Sequence, residues 1–343
     1  MRVVLAVTAG LLVLGAVPAA AAAPPTPPAP SSLCTVKDSR IGELSGLVSD
    51  GDHWYAINDG GTKVQVFVLD HSCKVQKVLS ASTDPYDVED LARAADGTLW
   101  LSDTGDNSHK RTTVALMEMK PSGGSVTLHR LTYPDGPHDT EALLLDRSGT
   151  PYLVTKEVLG DAAVYRPTGP LATPGPTTLE KVGSLNIHDT DTPGGPVGAF
   201  GSVLVTGGAT SADGSVVALR TYTDAYLYPA PDGDVLEALK RNPVRIPLPN
   251  EKQGEALAFE PDGTLLSGSE GVGQPLRAVK NATALIAGAA APQREAAKPA
   301  SSGAAGGSDE SSGVPLLPAA GIAVVVVLGV WFLISRMRRR PRR

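Results

Sequence analysis

The sequence predicts an all-β fold, a β-propeller, together with an N-terminal signal peptide and one C-terminal transmembrane helix. Three observations support this prediction. A pattern of carboxylate, apolar strand, glycine turn and second strand recurs along the chain. The first residues form an apolar run behind a single arginine. The last residues form a long uncharged segment followed by a cluster of arginines.

Residues 1–23 have the layout of a secretory signal peptide. Arg2 precedes an apolar run, and the alanines up to Ala23 offer several A-x-A cleavage sites. The run is short for a membrane span, and the Pro/Ala-rich linker that follows, residues 24–32, cannot continue a helix. The mature protein is therefore expected to begin near Ala23.

Residues 314–335 contain no charge and would form a helix about 33 Å long, against a hydrocarbon core of about 30 Å. Residues 336–343 are rich in arginine, as cytoplasmic flanks are. We therefore expect a single-pass protein of the cell membrane, with the propeller outside and the tail in the cytoplasm. Residues 283–313, rich in Ala, Gly and Ser, are expected to form a flexible stalk. A buried core helix is the alternative for the apolar segment.

The repeats lie in residues 33–282, the predicted propeller domain. In four of them a glutamate stands at the same distance before the turn glycine: Glu43, Glu89, Glu141 and Glu255. A fifth repeat has Thr206 at this position. Asp-Gly or Ser-Gly between two short apolar runs predicts a hairpin. Repeats with up to four strands fit propeller blades better than a sandwich. Five blades are visible, and residues 167–200 leave room for a sixth.

The two cysteines, Cys34 and Cys73, are predicted to form a disulfide. The last repeat has only three strands, and residues 33–37 supply a spare strand that would complete it and close the ring. That closure brings Cys34 beside the outer edge of the first blade, where Cys73 lies. The bridge would stabilise the fold by about 4 kcal/mol in the chain-entropy model. Metal binding by the two cysteines is the alternative.

Carboxylates are expected to gather at one mouth of the central channel. The first strand of a blade lines the channel and the second strand runs antiparallel to it. The start of the first strand and the end of the second strand therefore lie at the same mouth. Several carboxylates around one opening repel one another unless they are neutralised, and hard oxygen ligands suit Ca²⁺. The candidate metal ligands are Glu43, Glu89, Asp103, Asp106, Glu141 and Glu255. Alternatively, each glutamate only caps its own blade.

Several classes of function lack support in the sequence. The chain contains no G-x-S-x-G elbow, Walker loop, dinucleotide fingerprint or H-E-x-x-H. We therefore identify no catalytic residues and expect no cofactor other than Ca²⁺. The formal net charge is −6, with arginines concentrated in the tail, so a nucleic-acid partner is not expected. The protein is expected to be monomeric.

Three short motifs carry a family resemblance: residues 103–107 (Asp-Thr-Gly-Asp-Asn), 139–143 (Asp-Thr-Glu-Ala-Leu) and 253–257 (Gln-Gly-Glu-Ala-Leu). With them the chain resembles secreted bacterial β-propellers of the WD40-like and phytase-like, or esterase-like, group. The resemblance implies a propeller fold and an extracytoplasmic location.

The leading hypothesis is a membrane-anchored extracytoplasmic propeller that binds a small molecule or a protein partner at its acidic mouth, with Ca²⁺ as the candidate ion. One alternative is a metal-dependent phosphoesterase, a phytase-like hydrolase. The other is a structural cell-surface module. Whether the protein is an enzyme is left open by the sequence.

Overall fold

The computed structural model describes residues 27–289, which contain five four-stranded antiparallel blades. The first blade comprises β2 (Leu44–Ser49), β3 (Trp54–Asn58), β4 (Val64–Leu69) and β5 (Val75–Ala81). The second comprises β6 (Val88–Arg93), β7 (Leu99–Asp103), β8 (Val114–Met119) and β9 (Val126–Thr132). The third comprises β10 (Thr140–Leu145), β11 (Pro151–Thr155), β12 (Asp161–Pro167) and β13 (Thr177–Asn186).

The last two blades follow the same plan. The fourth comprises β14 (Val205–Thr210), β15 (Val216–Thr221), β16 (Asp224–Pro229) and β17 (Val244–Pro247). The fifth comprises β18 (Gly254–Phe259), β19 (Leu265–Ser269), β20 (Pro275–Val279) and, from the other end of the chain, β1 (Ser31–Thr35). Helical segments are the 3₁₀ helix Gly198–Ser202, α1 (Val235–Leu239) and α2 (Ala282–Ala289). The predicted all-β propeller is confirmed.

The ring closes between the first and fifth blades. The inner strands β2, β6, β10, β14 and β18 contact one another in order, and β18 contacts β2. Strand β1 pairs antiparallel with β20, with Ser31 opposite Ala278 and Thr35 opposite Pro275. A disulfide joins Cys34 of β1 to Cys73, in the turn between β4 and β5. The predicted closure by an N-terminal strand and the predicted disulfide are both confirmed.

The stretch 167–200 contributes no sixth blade to the described part of the chain. Strand β13 pairs with β12 and is the outer strand of the third blade. Its first residues, Thr177 and Thr178, also pair in parallel with the end of β9, which joins the second and third blades into one eight-stranded sheet. The long stretch that left room for another blade therefore adds its strand β13 to the third.

The apolar core lies between adjacent blades. Between the first and second blades, for example, Val66 and Ile57 pack with Leu91 and Met117 in one buried cluster. Each blade packs between two adjacent blades, so its inner strand is buried on both faces. In β10, for example, all six residues are buried. Burial on both faces explains the uninterrupted apolar runs of residues 142–145 in β10 and 256–259 in β18.

Asp90 ties together the inner strands of three blades. Its Oδ1 accepts a hydrogen bond from Leu91 N at 2.8 Å. Its Oδ2 accepts from Leu143 N of β10 at 2.8 Å and from Gly208 N of β14 at 3.1 Å. The inner edges of the blades would otherwise leave such buried N–H groups unsatisfied. Burial raises the pKa of Asp90 well above its usual value, although the three donors oppose that rise.

We expect Asp90→Asn to lower the free energy of unfolding by about 1–3 kcal/mol, because the amide nitrogen cannot accept a backbone hydrogen bond. The pKa of Asp90 is higher in the folded protein than in the unfolded chain. The stability that Asp90 contributes is therefore fully present at a pH below its pKa in the unfolded chain, and it is lost as the pH rises through its pKa in the folded protein. The difference in free energy of unfolding between wild type and Asp90→Asn should therefore be smaller at pH 8 than at pH 4. Urea unfolding at both pH values measures it, with the exposed Asp52→Asn as control; a difference that widened would contradict this account.

The prediction of a single-pass membrane protein requires correction. No helix within residues 27–289 is long and apolar enough to cross a membrane. The longest, α2, has eight residues and would span about 12 Å, less than half of a hydrocarbon core. The predicted signal peptide (1–23), span (314–335) and tail (336–343) lie outside the described residues. The membrane partner and the cell-membrane location are accordingly withdrawn, and the remaining domain boundaries stay predictions.

Candidate functional site

The two groups of carboxylates that could hold a metal ion lie on one face of the ring, and we call this face the acidic mouth. In each antiparallel blade the start of the inner strand, the end of the second strand and the start of the third lie on the same side. The acidic mouth is therefore formed by the loops between second and third strands and by the loops that connect one blade to the next. The hairpin turns between first and second strands lie on the opposite face.

Five carboxylates from the first three blades meet at the acidic mouth. Ligand oxygens of Asp59, Asp87 and Glu89 lie within 4.8 Å of one another, and so do those of Glu89, Asp139 and Glu141. Glu89 belongs to both groups, and the five residues together are called the Glu89 cluster. Glu89 and Glu141 are fully buried, and Asp59 and Asp139 are nearly so, with 8% and 5% exposure.

A repeated β-bulge places the glutamates. In β6, Val88 pairs with Asp103 and Asp90 with Ser102, which leaves Glu89 as the extra residue of the bulge. The same shift occurs at Glu141 in β10, at Thr206 in β14 and at Glu255 in β18. A bulge redirects a side chain without ending the strand, so each blade presents its bulged residue at a strand start.

Glu43 does not share this register. The shift in β2 falls between Leu44 and Leu47, and the residue equivalent to Glu89 is Ser45. The first hairpin has a tighter turn, with Asp50 N donating to His53 O, so counting back from its glycine ends on the wrong residue. Glu43 lies just before β2, is exposed, and belongs to neither group of the Glu89 cluster.

Asp103 and Asp106 hold the loops around the cluster. Asp103 accepts from Asp87 N at 2.9 Å and forms an ion pair with Arg111 at 3.0 Å. Asp106 Oδ2 accepts from Lys110 N and Arg111 N, both at 2.7 Å. Neither carboxylate belongs to the two ligand groups. Both predicted ligands therefore make contacts that order the backbone next to the site.

Glu255 is buried in the fifth blade and lies outside the Glu89 cluster. Its Oε1 accepts from Gln253 Nε2 at 3.2 Å.

Three cluster members, Asp59, Asp87 and Asp139, were not among the predicted ligands. The signal that identifies two of them is an Asp-x-Glu spacing at 87–89 and 139–141, which puts one carboxylate in the loop and the next at the bulge.

The backbone at Gly105 packs directly on the cluster. A Cβ at this position would collide with Glu89 Oε1 and would lie 2.6 Å from Asp87 Oδ2. Asp106 N donates to Asp139 Oδ1 at 2.7 Å, so the same loop reaches both halves of the cluster. Glycine is therefore the residue that allows this loop to lie against the carboxylates.

Lys156 brings a positive charge to one edge of the cluster. Its Nζ lies 2.7 Å from Glu141 Oε1 and 5.3 Å from the centre of the Tyr222 ring. One ammonium offsets one of the five carboxylates, so the cluster keeps a net negative potential if its acids are ionised. The cluster therefore offers only oxygen ligands and is bordered by one lysine.

His138, next to Asp139 in the chain, is held by polar contacts on both sides of its ring. Its Nε2 lies 3.0 Å from Asp135 Oδ1 and 2.9 Å from the Tyr165 hydroxyl. Its Nδ1 lies 3.7 Å from Glu157 Oε1. Burial and the Asp135 carboxylate raise the pKa of Tyr165, which keeps its hydroxyl protonated and able to donate to Asp135 at 2.8 Å.

A cavity of about 610 Å³ opens on the opposite face, among the hairpin turns of several blades. Arg93, Trp100 and Arg147 are among its lining residues, and no member of the Glu89 cluster lines it. The carboxylate site and this cavity therefore occupy different ends of the ring.

Comparisons with known proteins identify no family for the chain. No family model matches the chain, and no curated protein does. Among solved structures, a putative gluconolactonase has 16% identity, a TM-score of 0.42 and coverage of 71% of this chain and 77% of its own. A glucose dehydrogenase has 12% identity, a TM-score of 0.44 and coverage of 74% and 100%. Virginiamycin B lyase from Staphylococcus aureus has 11% identity, a TM-score of 0.36 and coverage of 71% of this chain and 69% of its own.

These solved structures are β-propeller proteins. They do not single out the WD40-like or phytase-like group that the motifs resemble. At such identities and TM-scores the likeness assigns no activity to this chain, and its function has to be argued from the residues at the acidic mouth.

Proposed function

We propose that the protein is a propeller that holds a divalent cation, Ca²⁺, in the Glu89 cluster and binds its ligand at the acidic mouth. The observation that carries the proposal is the position of Glu89, a fully buried carboxylate that belongs to two groups of potential ligands from three blades. Carboxylates this close repel one another, and a divalent cation relieves the repulsion.

The donor set favours Ca²⁺ over other common metals. All five side chains offer oxygen, whereas zinc and copper sites usually include nitrogen or sulfur. Ca²⁺ takes six to eight oxygen ligands in a flexible arrangement, while Mg²⁺ demands a smaller octahedron and keeps several waters. A cluster assembled from several loops and bulges can meet the flexible coordination of Ca²⁺ more easily than the small octahedron of Mg²⁺.

Calorimetric titration of the full chain with CaCl₂ is expected to show binding and a higher melting temperature. Glu89→Gln should weaken Ca²⁺ binding at least tenfold, because it removes the charge shared by both ligand groups. Gly105→Ala should also weaken it, since the added Cβ displaces Glu89 and Asp87 without removing a carboxylate.

Glu237→Gln is the matched control, because this glutamate sits in an exposed ion pair on α1, away from the mouth. It should bind Ca²⁺ as wild type does. Absence of heat and of any melting shift in wild type would reject the ion site and leave the glutamates as structural caps of their blades.

A metal-dependent phosphoesterase is the second candidate. It is supported by His138, whose ring is fixed by Asp135 and Tyr165 one residue from the cluster and could transfer a proton. Hydrolysis of p-nitrophenyl phosphate in the presence of Ca²⁺ tests it. Turnover that His138→Ala abolishes while Ca²⁺ binding persists would favour the enzyme; binding without turnover would leave the first proposal alone.

A further inference from the structure

Large exposed apolar side chains are concentrated on one face of the ring. Among the described residues the exposed large apolar side chains are Leu33, Tyr86, Val158, Leu159, Phe200 and Val272. All except Leu33, which lies on β1 at the outer edge of the fifth blade, belong to loops of the acidic mouth. Five of the six large exposed apolar side chains therefore lie around one opening of the ring.

These five residues surround the mouth, and we call them the apolar rim. Tyr86 lies between β5 and β6, where the first blade passes to the second. Val158 and Leu159 lie between β11 and β12 of the third blade, and Phe200 lies in the 3₁₀ helix before β14. Val272 lies between β19 and β20 of the fifth blade. The rim thus has members on widely separated sides of the opening.

Parts of the rim are tied to the site by packing. The Arg111 guanidinium lies 4.6 Å from the centre of the Tyr86 ring and also pairs with Asp103. The helix that carries Phe200 packs on Tyr222, since a Cβ on Gly201 would lie 3.4 Å from that side chain. Tyr222 in turn lies beside Lys156. Tyr86 is therefore linked through Arg111 to Asp103, which lies next to the Glu89 cluster, and the helix of Phe200 is linked through Tyr222 to Lys156.

Carboxylates alternate with the apolar side chains. Asp87 follows Tyr86, Glu157 precedes Val158, and Glu270 lies two residues before Val272. Carboxylates also outnumber lysines and arginines on the loops of this face as a whole. A complementary surface must therefore supply positive charge in its centre and apolar groups around it.

We propose that the acidic mouth is the docking surface for a protein partner that inserts a lysine or arginine side chain flanked by apolar residues. The inference rests on the proposed function in so far as both use the same mouth. The apolar rim excludes water around the inserted cation, which strengthens its attraction to the carboxylates. A lipid surface fits less well, because anionic headgroups would be repelled by those carboxylates.

Two synthetic peptides test the proposal by fluorescence anisotropy with the full chain. One carries an arginine between apolar leucine and phenylalanine residues, and the other carries glutamate in place of the arginine. The arginine peptide should bind, and the glutamate peptide should not. The double variant Leu159→Ser, Phe200→Ser should weaken binding at least fivefold, whereas Leu33→Ser, which also replaces an exposed apolar side chain but lies outside the rim, should leave it unchanged.

Equal binding of both peptides, no binding of the arginine peptide, or full affinity in the rim variant would overturn the proposal. Rim-dependent binding to phosphatidylserine vesicles without peptide binding would overturn it in favour of a lipid. The rim residues are not ion ligands, so the rim variant should keep wild-type Ca²⁺ affinity and circular dichroism. Peptide binding without any Ca²⁺ heat would support docking and reject the ion site, which separates the two proposals.

Discussion

Replacing Arg220 with leucine is expected to lower the free energy of unfolding by about 3–5 kcal/mol, because it removes the nearer of the two cations that pair with the buried Glu251 carboxylate and leaves only Arg277, 3.7 Å away. Arg220 is fully buried, and its guanidinium lies 2.7 Å from Glu251 Oε2. It also donates to Ala256 O at 2.8 Å and to Gly268 O at 3.2 Å in the fifth blade. The side chain therefore joins the fourth blade to the fifth as well as neutralising Glu251.

An exposed pair provides the matched control. Arg166 and Glu180 lie 2.8 Å apart but are both more than one-third exposed, so Arg166→Leu should cost less than about 1 kcal/mol. Urea unfolding of both variants measures the difference. Adding Glu251→Leu to Arg220→Leu should restore part of the loss, since no buried charge then remains uncompensated. A cost for Arg220→Leu as small as that for Arg166→Leu would refute this interpretation.

Removing the disulfide with Cys34→Ser and Cys73→Ser together is expected to cost about 4 kcal/mol in the chain-entropy model, given a sequence separation of 39. The bridge also holds β1 against the first blade, and β1 is the strand that completes the fifth. Its loss should therefore favour opening of the ring at the junction of the first and fifth blades.

Denaturant unfolding with and without dithiothreitol measures this effect. The reductant should lower the midpoint of the wild type to that of the double variant and leave the variant unchanged. Hydrogen exchange should increase first at the amides that pair β1 with β20, between Ser31 and Thr35. An unchanged wild-type midpoint after full reduction would show that the other ring contacts suffice.

Most of the fold could be predicted from the sequence because its signals are local. Asp-Gly turns between apolar runs specify hairpins at a regular distance, and a spare N-terminal strand matches a last blade that lacks one. The uncertainty over a sixth blade came from residues 167–200. The strand β13 in this stretch pairs with β12 of the third blade, and pairing is a long-range property that composition does not carry.

The site could be predicted only in part. Glu89 and Glu141 belong to the cluster because each occupies a bulge, but Glu43 precedes its strand by one residue. In the pairing of β2 with β3 the residue equivalent to Glu89 is Ser45, two positions after Glu43, and the turn glycine alone does not reveal this shift. Asp103 and Asp106, also predicted as ligands, lie outside the two ligand groups and accept hydrogen bonds from backbone N–H groups.

The sequence by itself determined the blade pattern, the closing strand and the cysteine pair, since each depends on short-range periodicity and on which strand is missing. Tertiary structure alone decided which carboxylates meet, that Asp90 links three blades, and that the exposed apolar residues surround one mouth. The physical reason is that these features depend on the register between strands and on loops from different blades converging at the channel. Neither the register nor the convergence is encoded in the spacing of residues within one repeat.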